Sequence, residues 1–252
     1  MNLLVLGHKG MLGTAVTKYY NEYSWTLNTI DYRWPSQIFK ETIRNFKGDL
    51  LINCIGAIPQ KTADFTINYE LPQFIMNNLP SKVKYIHPDT DCVFDGQLPI
   101  GKLYGKYKQS NALDVYGISK SSILHFKTKT NLKIIRSSII GIDKYNKSLL
   151  SWFLSQTECV NGYINHYWNG ITVLQWAKIS QMIFANWDDY EYITQIGTTP
   201  ISKYDLLYLI KDVFHKQINI IETTHQKDIN RCLQSDLEVA HIKEQLKELR
   251  NK

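Results

Sequence analysis

The sequence predicts an α/β fold of the Rossmann type: a doubly wound parallel sheet with a smaller C-terminal substrate-binding lobe. Three observations predict it. Short aliphatic runs alternate with amphipathic stretches of helical length, and a glycine-rich turn directly follows the first run. The prolines Pro59, Pro80, Pro88 and Pro99 fall between the expected elements, where a missing backbone donor costs least.

Strands buried on both faces of a parallel sheet read as unbroken apolar runs. Residues 3–6 fit that description, residues 25–30, 50–54, 83–86 and 132–140 are aliphatic and β-branched runs with polar residues among them, and residues 11–20, 65–77 and 115–126 have helical periodicity. Beyond Gly141 the pattern loosens into helices at 149–154, 172–185 and 203–214, and strands at 192–196 and 218–221. An aromatic loop at 163–168 and a charged helix at 237–249 complete the chain. The expected division is an NAD(P)-binding Rossmann domain over 1–145, followed by a substrate-binding lobe over 146–252, some segments of which return to the sheet. There is no internal repeat, low-complexity tract or Pro/Gly/Ser linker.

The chain has 252 residues, 44% hydrophobic and 21% charged, a composition that excludes disordered, collagen-like and coiled-coil classes. Twenty-nine Lys and Arg against 23 Asp and Glu give a net charge of +6. That excess suits a polyanionic small molecule and lacks the dense basic stripe of a nucleic-acid binder, so no nucleic-acid partner is expected. The cysteines Cys54, Cys92, Cys159 and Cys232 lie far apart with no C-x-x-C pair and no zinc-like His spacing, so no metal is expected. With reduced thiols, no leader-like start and no apolar run near the roughly 20 residues of a membrane span, the sequence reads as a cytoplasmic protein without a membrane partner.

Gly7, Gly10 and Gly13 are spaced three apart, with Lys9, Met11 and Leu12 in the same turn, between the first strand and the first helix. Such a turn lets the backbone approach a pyrophosphate and points the helix N-terminus at it. After the second strand stand both an acid, Asp31, and a base, Arg33. The acid suits a ribose hydroxyl and the base a 2′-phosphate; with Lys9 able to reach the same phosphate, NADPH is favoured and NADH is the alternative. Tyr116 and Lys120 are one helical turn apart, the spacing at which an ammonium favours the ionised phenol and lowers its pKa. Thr90 follows the 83–86 strand, at the carboxyl edge where open α/β sheets bind their ligands.

With those residues in place the chain resembles an extended short-chain dehydrogenase/reductase, and within it the dTDP-4-dehydrorhamnose reductase family. The resemblance rests on the G-x-x-G-M-L-G turn, Asn53-Cys54-Ile55-Gly56-Ala57, Asn68 with Leu71-Pro72, the T-D-x-V-F-D-G block, Y-G-x-S-K and Arg136-Ser137-Ser138. It continues through Trp168-Asn169-Gly170-Ile171-Thr172, the run from Ile201 to Leu207, and Asn230-Arg231. It implies a catalytic triad of Thr90, Tyr116 and Lys120, with Cys54, Gly56 and Ala57 on the cofactor side. It also implies a nucleotide-diphosphate sugar as partner, touched by Asp91, Val93, Phe94, Lys147, Trp168, Asn169, Thr172 and Arg231, and a homodimer as the default assembly. The implied activity is NADPH-dependent reduction of the C4 keto group of a dTDP- or UDP-linked 4-keto-6-deoxyhexose of rhamnose or N-acetylated rhamnose type.

The sequence departs from the family at two positions. Asp89 stands where Ser is common, and Cys92 where the reductases usually have Tyr. Related epimerase/reductases carry a Cys two residues after the triad hydroxyl, so a bifunctional 3- or 3,5-epimerase/4-reductase is the alternative, with Lys147 or His166 as opposing proton donor. A cofactor-binding regulatory subunit without chemistry is the second alternative.

Overall fold

The computed structural model describes residues 1–252. In its first part the elements are β1 (Asn2–Leu6), α1 (Met11–Glu22), β2 (Thr26–Thr29), α2 (Gln37–Arg44), β3 (Leu50–Asn53), α3 (Ile67–Asn78), β4 (Lys84–Asp89), α4 (Val115–Ser121) and β5 (Leu132–Arg136). There follow β6 (Ile139–Ile140), α5 (Leu149–Ser155), β7 (Cys159–Tyr163), β8 (His166–Trp168), β9 (Ile171–Thr172), α6 (Val173–Ala185) and β10 (Ile193–Gln195). The last are β11 (Ile201–Ser202), α7 (Lys203–Val213), β12 (Asn219–Thr223), β13 (Ile229–Asn230) and α8 (Ile242–Arg250).

Six strands form one parallel sheet in the order β10-β5-β4-β3-β1-β2. In β1, Leu3 to Leu6 are all buried, because successive side chains point into two different cores. Leu3 and Val5 meet Val16 and Tyr20 of α1 and Trp176 and Ile183 of α6, while Leu4 and Leu6 meet Phe39 and Ile43 of α2 and Leu71 and Ile75 of α3. The doubly wound parallel sheet of the sequence analysis is therefore present. From β1 the chain crosses to β2 on one side and later to β3 on the other, and the crevice beyond the carboxyl ends at that reversal is where such sheets hold ligands.

The remaining strands form three small sheets, β11-β8-β13, β12-β7 and β6-β9. They share a core of Leu150, Phe153, Trp168, Leu206, Ile210, Ile242 and Leu246 with α5, α7 and α8. Two C-terminal elements belong to the central layer instead: β10 pairs with β5, and α6 lies on α1.

Several expected elements differ, each for a local reason. The strand expected over 132–140 breaks after Arg136, because the Ser138 carbonyl accepts from the Ile171 N–H and the chain leaves to pair with β9. The helix expected over 115–126 tightens into a 3₁₀ turn from Ser122, where the hydroxyls of Ser119, Ser121 and Ser122 each donate to the carbonyl three residues back. Residues 163–168 are not a loop, since β7 ends and β8 begins within them. The C-terminal helix starts at Ile242, where His241 Nδ1 accepts from the Lys243 N–H. Pro88 lies inside β4 and not in a connection; it sits beyond Ile86, the last residue of β4 paired with β3. The helix α2 was not foreseen: Ser36 caps it, and Phe39 and Ile43, four apart, bury its one apolar face.

Candidate active site

At the β1–α1 turn, Gly10 occupies the N-cap with no side chain capping the helix, so the first N–H groups of α1 remain open to an anion. Gly13 is required by contact: a Cβ there would lie 2.1 Å from the Gly7 carbonyl oxygen. The turn is thus a cradle that side chains would fill, and it fits a dinucleotide pyrophosphate. Gly13→Ala is expected to cost about 1–3 kcal/mol in urea unfolding. It should also raise the dissociation constant of a dinucleotide seated there by at least roughly tenfold, which fluorescence titration with NADPH and NADH would read.

Around the cradle, Lys9 donates to Asp31, whose carboxylate is held below its usual range by that hydrogen bond and the ammonium's charge. His8 lies 3.5 Å from the same oxygen. Asp31 therefore already has a cation, and Arg33 stands exposed beside it with no side-chain partner. After β3, Cys54 continues the pairing to Leu6, and burial pushes its thiol up. The Ala57 N–H donates to Asn68 Oδ1 at 2.7 Å, and Asn68 Nδ2 donates to the Ala57 carbonyl and to Ser119 Oγ, both at 3.0 Å. Asn68 thereby ties the loop carrying Gly56 and Ala57 to the helix carrying Tyr116 and Lys120.

Asp114 starts α4 by accepting from the Gly117 N–H at 2.8 Å. Gly117 lets the helix rest on the other half of the site, since a Cβ there would lie 2.1 Å from the Cys92 carbonyl oxygen. Lys120, one turn after Tyr116, is buried and donates to the Pro88 carbonyl at 2.9 Å. The proline's position past the end of β3 is what leaves that carbonyl free. Thr90 Oγ accepts from the Cys92 N–H at 3.2 Å and donates to Asp91 Oδ1 at 3.0 Å.

The electrostatics differ from the sequence expectation. Burial raises the Tyr116 phenol, the charges of Cys92 and Asp91 raise it further, and the Thr90 hydroxyl opposes them. The ammonium of Lys120 is itself pushed down by burial, with Asp89 and Cys92 pulling it back. Tyr116 is therefore a phenol at neutral pH, suited to donating a proton. Burial and then Asp91 push the Cys92 thiol up to about 12, so it too holds its proton. Burial raises Asp91, opposed by Arg231, the Thr90 hydroxyl and Lys203.

Thr90, Asp91, Cys92, Tyr116, Lys120 and Arg231 thus act on one another at the carboxyl end of β4. The other residues expected on the substrate side are placed differently. Val93 and Phe94 are fully buried, Phe94 stacked on Tyr104 with ring centroids 4.2 Å apart. Trp168 donates from Nε1 to Ser138 Oγ at 2.7 Å. Asn169 is spent on the backbones of Thr198 and Leu233, and Thr172 caps α6. Lys147 is exposed on the loop before α5, where only its backbone N–H is held, by Asp143. His166 packs against Tyr163 and His225, and burial and then His225 lower its pKa.

Two features were missed in the sequence. Asp89 and Arg136 form a buried ion pair, Nε donating to Oδ2 at 2.7 Å, directly before Thr90; the two residues were noted only separately. The charge of Lys203, half-buried at the start of α7 with its ammonium over the Trp168 ring, also acts on Asp91; its only signal was a lysine in the first turn of a helix, against the macrodipole.

No family model matches the chain, and no curated protein matches it. Solved structures do. A dTDP-4-dehydrorhamnose reductase ortholog from Clostridium acetobutylicum is 16% identical over 100% of this chain and 99% of its own, with a TM-score of 0.81. A dTDP-4-dehydrorhamnose reductase from Bacillus anthracis, solved in complex with NADP, is 14% identical over 99% of this chain and 98% of its own, with a TM-score of 0.83. A GDP-6-OMe-4-keto-L-xylo-heptose reductase from C. jejuni is 12% identical over 99% and 96%, with a TM-score of 0.75. No helix is long and apolar enough to cross a membrane. Over its whole length, then, the chain has the fold of the nucleotide-sugar reductases it resembles in motif.

Proposed function

We propose that the protein is an oxidoreductase that reduces the C4 keto group of a nucleotide-linked 4-keto-6-deoxyhexose, dTDP- or UDP-linked and of rhamnose or N-acetylated rhamnose type, in deoxysugar-nucleotide biosynthesis. One observation carries this reading: a half-buried Tyr116, one helical turn before a Lys120 anchored on the Pro88 carbonyl, stands with Thr90 at the carboxyl edge of the sheet whose first turn is an uncapped glycine cradle. When bound, NADPH supplies the hydride. Gly7, Gly10 and Gly13 with Met11 and Leu12 would seat its pyrophosphate, Arg33 and Lys9 its 2′-phosphate, and Lys120 its nicotinamide ribose. Tyr116 gives its proton to the alkoxide that develops at C4, and Thr90 turns its hydroxyl from Asp91 to that oxygen. The segments 146–172 and 197–252 form the substrate lobe in this proposal, and a homodimer and a cytoplasmic location belong to it.

The epimerase alternative needs a thiolate at Cys92 to abstract a proton from carbon, and burial keeps that thiol protonated. The expected result is that no solvent deuterium enters C3 or C5 of the product, and that Cys92→Ser oxidises NADPH at a rate within roughly threefold of wild type. Deuterium at either carbon, lost in Cys92→Ser, would establish the bifunctional enzyme instead. Binding of NADPH with turnover of none of these sugars would favour the regulatory subunit.

A further inference from the structure

The strand that carries Pro88 and Asp89 also holds a titratable group with no part in the steps above. His87 is 1% exposed, and its ring lies on the same face of the sheet as Tyr85, toward α3 and α4. Its Nδ1 shares a 2.7 Å hydrogen bond with the Tyr85 hydroxyl, while Nε2 bonds to no protein group. Asn53 stands beside it: Ile52 of β3 pairs with Ile86 of β4, and Asn53 and His87 are the next residues on those strands. Asn53 Oδ1 accepts from the Ile55 N–H at 3.0 Å, and its Nδ2 is likewise unpartnered. Two unpartnered polar atoms side by side in a core are costly, which marks the place as one kept for more than packing.

Over that face lies Lys120. Ser119 is tied to Asn68 of α3, and Ile123 in the turn after α4 packs in the same core as Tyr85, so α4 delivers Lys120 to the His87 side of the sheet. Its ammonium ends on the carbonyl of Pro88, the residue after His87, and two of its three N–H donors remain. The other neighbours on that face do not titrate: Asn53 on β3, Ile134 on β5, and Asn68, Leu71 and Ile75 on α3. Burial and then the Lys120 charge hold the imidazole well below its usual range, so the ring is neutral and is one of two tautomers. A Tyr85 that donated to Nδ1 would leave a proton on Nε2, facing a cation. An Nδ1–H that donates to Tyr85 leaves a lone pair on Nε2 instead, and a neighbouring ammonium selects that form.

We propose that His87 is a positioning residue for Lys120: it carries its proton on Nδ1 and turns the bare Nε2 toward the ammonium, which keeps Lys120 charged and aimed in a buried site. This rests on the reductase reading above, in which Lys120 holds the nicotinamide ribose, and adds to it the group that sustains the Lys120 charge.

Two measurements test it. Long-range proton–nitrogen NMR of histidine-labelled wild type shows which ring nitrogen is protonated, His87 being the signal missing from His87→Gln. The ring is expected to stay neutral with a bare Nε2 from about pH 6 to 9, and to move toward the Nε2–H form in Lys120→Met. Titration with NADPH at a series of pH values then compares wild type, His87→Phe and His87→Gln. His87→Phe offers no lone pair, so Lys120 should give up its proton sooner, and the alkaline loss of NADPH affinity should come about one pH unit lower than in wild type. His87→Gln, whose Oε1 accepts, should restore the wild-type profile. A protonated Nε2 in wild type overturns the proposal, as does a His87→Phe profile that coincides with wild type, or a shift that His87→Gln shares. The tautomer is read without cofactor or sugar. A protein that binds NADPH and gives both expected results yet reduces no keto sugar would sink the reductase and leave the role of His87 standing.

Discussion

Tyr116→Phe is expected to lose roughly 10²–10⁴-fold in NADPH oxidation with a 4-keto-6-deoxy sugar nucleotide, the range a positioned general acid contributes. NADPH affinity should be untouched, because Lys120 keeps its own anchor on the Pro88 carbonyl. A phenol donates only while protonated, and here burial lifts it above its ordinary value near 10. The wild-type reductive rate should therefore stay level from neutral pH through about pH 9 and fall only as the pH rises past the ordinary tyrosine range. Full activity in Tyr116→Phe, or a rate that already falls between roughly pH 7 and 8, would exclude Tyr116 as the acid.

The largest effect on stability is expected at Arg136. Its side chain is 2% exposed and that of Asp89 is 0% exposed, so the pair has no solvent to fall back on. Arg136→Met strands the Asp89 carboxylate and is expected to cost about 3–5 kcal/mol in urea unfolding. The double variant Asp89→Leu with Arg136→Met removes both charges and should recover most of that loss, because desolvating the pair is itself expensive. A loss under about 1 kcal/mol in Arg136→Met would mean that water reaches the carboxylate. Arg136 also donates to Gln195 Oε1 at 3.3 Å, and Gln195 Nε2 donates to the carbonyls of Tyr104 and Gln234, so the same change loosens the floor beneath Thr90.

What could be read from the sequence divides along physical lines. The cradle at Gly7 to Gly13 and the Tyr116–Lys120 pair were legible because their chemistry is local: a turn needs its glycines, and a helix brings residues four apart together. β1 and β3 were legible because a strand buried on both faces admits no polar interruption. The strands β6, β9, β11 and β13 have two residues each and exist only through partners far along the chain, so no window could contain their signal. Asp89 finds Arg136, 47 positions along the chain, across β4 and β5. The direction of the Tyr116 shift was misjudged because pair spacing predicts the neighbouring charge but not the depth of burial around it.

The placement of β10 bears on how the chain is made. Its residues 193–195 close the sheet against β5, and α6 covers α1, yet both are translated only after β6 to β9 of the small sheets. Until residue 195 has emerged, a nascent chain carries an open, apolar strand edge at Ile134 and Ile135, the kind of edge that invites association with other chains. The six-stranded sheet is therefore completed only once residue 195 has emerged, and a truncation near residue 145 would leave β5 without a partner on its outer edge and Arg136 without Gln195.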